Sequence, residues 1–86
     1  MEEFEITCIE TDDNGIITHV GLKKDGTQPV DIIVLLIHHK VYSFHTFKEG
    51  MRKEVYYRAS TDGKRFLTID PYGSLNDTLN FLPECS

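Results

Sequence analysis

Apolar and polar residues alternate from Phe4 to Cys8 and again from Ile16 to Leu22, with "DDNG" between the two runs. Two alternating runs joined by an Asn-Gly turn predict a β-hairpin, because Asn14 and Gly15 take positive φ at little cost. A three-residue loop, Asp13 to Gly15, pairs Asp12 with Ile16 and Cys8 with Val20. That register puts Phe4, Ile6, Cys8, Val20 and Leu22 on one buried face and Ile9, Ile17 and His19 on the other.

"KKDGTQP" has loop composition, and the run that follows, "VDIIVLLIHHK", changes the period. Its six consecutive apolar residues, Ile32 to Ile37, fit a helix or a buried strand equally well. Pro29 and Asp31 suit a helix start, and a small sheet needs a cover, so a short helix over Val30 to His39 is favoured. Alternation then returns over Val41 to Phe47, Arg52 to Ser60 (Val55, Tyr57 and Ala59 on one face) and Arg65 to Ile69, with turns at "KEGMR" and "STDGK". The predicted fold is an α+β domain ordered β-β-α-β-β-β, an antiparallel sheet with one short helix on one face.

The tail departs from this pattern. Leu75, Leu79 and Leu82 stand at i, i+4 and i+7, so a turn or two of helix, started at Asn76 and Asp77 and ended by Pro83, lines them up. A segment this short is not a stable helix alone. Burying a leucine contributes roughly 1.5 to 3 kcal/mol, so the tail is expected to dock on the sheet as a C-terminal strap.

Composition narrows the function. A chain of 86 residues makes one domain, 1–86, with a single core. The N-terminus "MEEFE" is acidic, without a hydrophobic signal core, and no apolar run is long enough to span a bilayer; the expectation is a cytoplasmic protein with no membrane partner. In a reducing cytosol Cys8 and Cys85 are expected as thiols. A net charge of −5 argues against phosphate-driven nucleic-acid binding. The cationic pairs Lys23–Lys24, Arg52–Lys53 and Lys64–Arg65 lie apart in sequence.

At this point the residues carry a likeness. "ITCI" (Ile6 to Ile9), "ITHVG" (Ile17 to Gly21), "VDIIVLLI" followed by "VYSF", and "GKRFLTIDPYGSLNDTLNFLPEC" resemble the domain of unknown function 3892 family, small and usually stand-alone proteins of bacteria and archaea with no assigned activity. The most specific part is the ending, with Asn76, Asp77, Leu79, Leu82, Pro83 and Cys85. The chain departs from the family near Leu22 and Leu75, where tryptophan is frequent, and at His39 and Lys40, where a glycine commonly ends the helix.

Candidate chemistry is sparse. If a strapped tail brings Cys8 and Cys85 close, their thiolates could join His19, His38, His39 or His45 around zinc, but no C-x-x-C or H-x3-H spacing supports them and free cysteines are usually small buried hydrophobes. A cysteine nucleophile lacks a placed base. Asp12 and Asp13 are better explained as turn formers than as a carboxylate pair, and there is no nucleophile elbow, phosphate loop or dinucleotide fingerprint. Tyr42, Phe44, Phe47, Tyr56, Tyr57 and Phe66 fall on the later strands, where an open face with Lys53, Arg58 and Lys64 could stack bases, although half of any strand points into the core. Tyr56, Arg58 and Lys64 are the first choices for a ligand or partner contact. The expectation is a non-catalytic module without cofactor, monomeric or weakly dimeric through a sheet edge, acting through a protein or small-ligand contact on the sheet face the helix leaves open. Single-stranded nucleic-acid binding is the alternative, with a Cys/His metal or thiol protein behind it.

Overall fold

A computed structural model describes residues 2–70 and 78–85. The elements are β1 (Glu2–Thr11), β2 (Ile17–Leu22), β3 (Gly26–Pro29), α1 (Val30–His38), β4 (Tyr42–Lys48), β5 (Met51–Glu54), β6 (Tyr56–Ala59) and β7 (Arg65–Thr68). The α+β class holds, with the sheet divided in two: a five-stranded sheet ordered β3-β2-β1-β4-β5 and a two-stranded sheet β6-β7.

The five-stranded sheet is mixed, not antiparallel as the sequence suggested. "GTQP" is a strand, β3, paired antiparallel with β2 from Leu22↔Gly26 to His19↔Pro29. It therefore runs parallel to β1, and α1 acts as a crossover that delivers β4 parallel to β1 over Glu2↔Tyr42 to Glu5↔His45. One overlooked strand reverses the direction of everything after it. The run Arg52 to Ser60 also breaks at Val55, whose N–H donates to the Phe44 carbonyl at 2.9 Å before the chain leaves the larger sheet.

The β1–β2 turn has the expected three-residue loop: Asp12 N–H donates to Ile16 O at 2.9 Å, and Gly15, at φ 78°, donates to Asp12 O at 3.0 Å. The register beyond it differs from expectation. Thr11 pairs with Ile17 but Glu10 with His19, and Ile6 with Leu22 but Cys8 with Gly21, so each strand carries a bulge. Strict alternation cannot turn residues three apart to one side. The two bulges do so, and Ile6, Ile9 and Val20 are all buried with Ile17 packed against them. Ile9 thus joins the core face, while Cys8 moves to the opposite face beside Gly21.

The core combines these residues with Phe44 of β4, Val30, Ile33 and Val34 of α1, Val55, Leu67 of β7 and Leu79 of the tail. The helix ends as Lys40 takes φ 56° and Lys40 and Val41 donate to the carbonyls of Ile37 and Leu36 at 3.1 and 3.0 Å. This is the usual left-handed helix stop, made here without glycine.

The tail docks, but as a turn and a single β-bridge. Leu79 is fully buried and Leu82 packs on the core, linked by one Leu82 N–H to Leu79 O bond of 3.0 Å. Leu75, Asn76 and Asp77 lie outside the described residues. Glu84 then forms a parallel bridge with Ile9, framed by Ile9 N–H to Pro83 O at 2.9 Å and Cys85 N–H to Ile9 O at 2.8 Å. Between this bridge and the backbone pairing of β1 with β4, the buried hydroxyl of Thr46, a β4 residue, donates to Ile6 O at 2.7 Å. Along its second flank β1 is thus paired by two segments, β4 through backbone and the Thr46 hydroxyl, and the tail, in keeping with the need of buried backbone for partners.

Candidate functional site

Side chains alternate along each strand, so with Phe4 and Phe44 turned toward the core their neighbours Glu3, Glu5 and His45 share the face away from α1. Pairing extends this outer face to Glu54, opposite His45, and sets Phe47 opposite Arg52. The row Glu5–His45–Glu54 crosses three strands.

These groups form one charged ladder. Glu3 Oε1 contacts Arg52 Nη2 and lies 3.0 Å from His45 Nδ1, off the line of a hydrogen bond, so Nδ1 is buried with an electrostatic neighbour only. Arg52 also donates through Nε and Nη2 to Glu54 Oε1 at 3.1 and 3.0 Å. Glu5 Oε1 stands 3.9 Å from both His45 Nε2 and Lys23 Nζ. The His45 side chain is only 13% exposed, whereas Arg52 and Glu54 are nearly half exposed. Phe47 meets the His45 ring edge-on at 5.6 Å and remains nearly half exposed. Further along, Glu10 pairs loosely with His19 at 3.9 Å. Counting Glu3, Glu5, Glu10 and Glu54 against Arg52 and Lys23, the ladder is net acidic when the histidines are neutral.

Cys8 and Cys85 are not thiols: they form a disulfide, Cα–Cα 5.0 Å. This replaces the expected free cysteines and withdraws both sulfurs from any thiolate ligand set; among the described residues no three His, Cys, Asp or Glu side chains form a metal-binding group. The bulge accounts for the juxtaposition, because it turns Cys8 away from the core face to where the tail bridged to Ile9 passes. Gly21 completes the site. A β-carbon there would overlap Cys8 Sγ and stand 2.8 Å from Cys85 Sγ, so the disulfide occupies the space a side chain would need. Sequence reading missed Gly21, since its role depends on a contact 77 residues apart in the chain.

Tyr56, Arg58 and Lys64 lie elsewhere, on the β6–β7 hairpin. Tyr56 pairs with Thr68 and Arg58 with Phe66, so both point away from Tyr57 and Leu67, the pair on the other face of that hairpin. Lys64 sits at the turn, its carbonyl accepting from Ser60 N–H at 2.8 Å. The two residues on β6 are thus brought together, and Lys64, opposite Ser60, lies two positions beyond Arg58 and four, roughly 13 Å, beyond Tyr56. Lys53 belongs to β5. In the same turn, hydrogen bonds from the Ser60 hydroxyl and the Lys64 N–H hold the Asp62 carboxyl below its ordinary pKa. His38, at the end of α1, bonds Tyr57 Oη through Nδ1 at 2.6 Å.

Among the described residues no helix is long and apolar enough to cross a membrane. Comparison of the chain with known protein families, curated proteins and solved structures finds no match.

Proposed function

We propose that this is a non-catalytic interaction module that receives a cationic segment of a partner protein on the outer face of the five-stranded sheet. The supporting observation is the ladder Glu3–His45–Arg52–Glu54 with Glu5: charges fixed on paired strands, net acidic, beside the exposed ring of Phe47. Complementary charge of this kind raises the association rate and sets orientation more than it adds affinity. In an NMR titration with a mixed Lys/Arg peptide carrying one aromatic residue, the expected shifts fall on Glu3, His45, Phe47 and Glu54, and Glu54→Gln slows association. Shifts confined to another surface, or none at low salt, remove the reading.

A second reading, single-stranded nucleic-acid binding, is favoured by Tyr56 and Arg58 sharing one face of β6. An oligonucleotide titration that gives salt-dependent shifts on those two residues supports it over the first. Membership of the domain of unknown function 3892 family stays part of this proposal, carried by the "NDTLNFLPEC" ending. So does a cytoplasmic setting, which pulls against the Cys8–Cys85 bond because glutathione keeps cytosolic thiols reduced. Alkylation of thiols in freshly lysed cells decides between them.

A further inference from the structure

Between Asp31 and His38, α1 contains only isoleucine, valine and leucine. A helix apolar all round belongs in an interior. Val30, Ile33 and Val34 are indeed buried, yet Ile32 and Leu35 are 43% and 44% exposed. At 3.6 residues per turn, Asp31, Leu35 and His38 fall in one line with Ile32 and His39 beside it, and all five are exposed. Next to Ile32 runs a groove of about 260 Å³ walled by Phe4, Leu22, Leu36 and Tyr42.

We propose that this stripe is the seat of a symmetrical contact with a second copy of the chain, the two α1 helices packing antiparallel. The argument is one of self-complementarity. A two-fold axis at Leu35 brings residues equally far before and after it face to face: Leu35 meets Leu35, Ile32 meets His38, and Asp31 meets His39. Each copy therefore offers a carboxylate at one end of its apolar line and imidazoles at the other, in the order that an antiparallel twin matches. A parallel twin would set Asp31 against Asp31. The apolar side chains of each stripe have the neighbouring groove of the other to enter. Strand pairing is the poorer route to a dimer, since β3 ends in Pro29 and β5 carries Arg52, Lys53 and Glu54 on the sheet's edges. A helix of nine residues is only about 13 Å long, well short of what a standard interface of roughly 1,600 Å² needs, so the contact is weak and rapidly exchanging.

Analytical ultracentrifugation from roughly 10 µM to about 1 mM tests it, that range matching weak interfaces. The wild-type mass is expected to climb from monomer toward dimer. Leu35→Glu, at an exposed position, is expected to keep a dispersed amide spectrum and the monomer mass throughout. Asp31→Lys is expected to weaken association severalfold, and Asp31→Lys/His39→Glu to regain it, although both changes oppose the helix dipole. That recovery separates a paired contact from damage to the fold. A wild type that stays monomeric at the highest concentration, a Leu35→Glu variant that associates normally, or a double variant no tighter than Asp31→Lys overturns the proposal.

Discussion

The two faces of the five-stranded sheet are held by different physics. On the inner face Ile6, Ile9, Val20 and Phe44 meet Ile33, Val34, Leu67 and Leu79, every one of them nearly inaccessible to water. Each such side chain contributes roughly 1.5 to 3 kcal/mol by leaving water. On the outer face the contacts are Glu3–Arg52, Arg52–Glu54 and their neighbours, and exposed ion pairs are each worth about 0 to 1 kcal/mol. The inner face therefore decides whether the chain folds. The outer face can change its chemistry with little effect on that outcome, which suits a surface that meets a partner. The Cys8–Cys85 disulfide is the exception, an outer-face feature with inner-face weight.

Four measurements can break or sharpen this contrast. Leu79→Ala empties a fully buried site supplied by the tail, and chemical denaturation is expected to show a loss of about 2 to 5 kcal/mol. A loss under about 1 kcal/mol would mean that the tail merely lies on the core. Removing the disulfide in a Cys8→Ala/Cys85→Ala variant is expected to cost about 2 to 4 kcal/mol, since it closes a long loop. Gly21→Ala is expected to destabilise the wild type clearly but to cost much less in that cysteine-free background, because the atoms its β-carbon would overlap are gone. Equal costs in both backgrounds would point to backbone conformation at Gly21 instead. Arg52→Ala removes the hub of the ladder, and the expected change in melting free energy is below about 1 kcal/mol. A larger loss would make the outer face structural.

The smallest effect belongs to Asp62, on neither face. Its folded pKa lies below the unfolded value because the Ser60 hydroxyl and Lys64 N–H favour the carboxylate. The stability it adds is therefore present above the unfolded pKa and disappears as pH falls through the folded one. Asp62→Asn is expected to remove that part of the acid dependence, and an unchanged profile from neutrality down to pH about 3 would sink the assignment.

What the sequence revealed tracks how local each determinant is. The Asp13–Gly15 loop, the helix after Pro29 and the "STDGK" turn follow from residues adjacent in the chain, and all three are present. Faces and directions were harder. Ile6 with Ile9, and Ile17 with Val20, need a bulge apiece to share a side, and alternation alone assigns one of each pair outward. β3 has the composition of a loop, because an edge strand tolerates Gly26 and Pro29, and missing it made the sheet look antiparallel. The candidate site suffered most. Tyr56 and Arg58 follow from one strand's alternation and Lys64 from its place at the turn, whereas Glu3, Glu5, His45, Arg52 and Glu54 become neighbours only once β4 lies parallel to β1. The tail's pattern leaves the distance between Cys8 and Cys85 open, and a reducing compartment implies thiols, which the disulfide reverses.

The bridge between Ile9 and Glu84 also bears on how the chain leaves the ribosome. At roughly 5 to 20 residues per second, Cys85 is added on the order of 4 to 15 s after Cys8, from which it stands 77 positions away. From the emergence of β1 until residues 83–85 reach it, the flank of β1 that the tail covers has its Ile9 amide and carbonyl open to any passing strand. That interval is when a nascent chain of this protein is open to mispairing at this edge, and when a chaperone that shields strand edges would matter most.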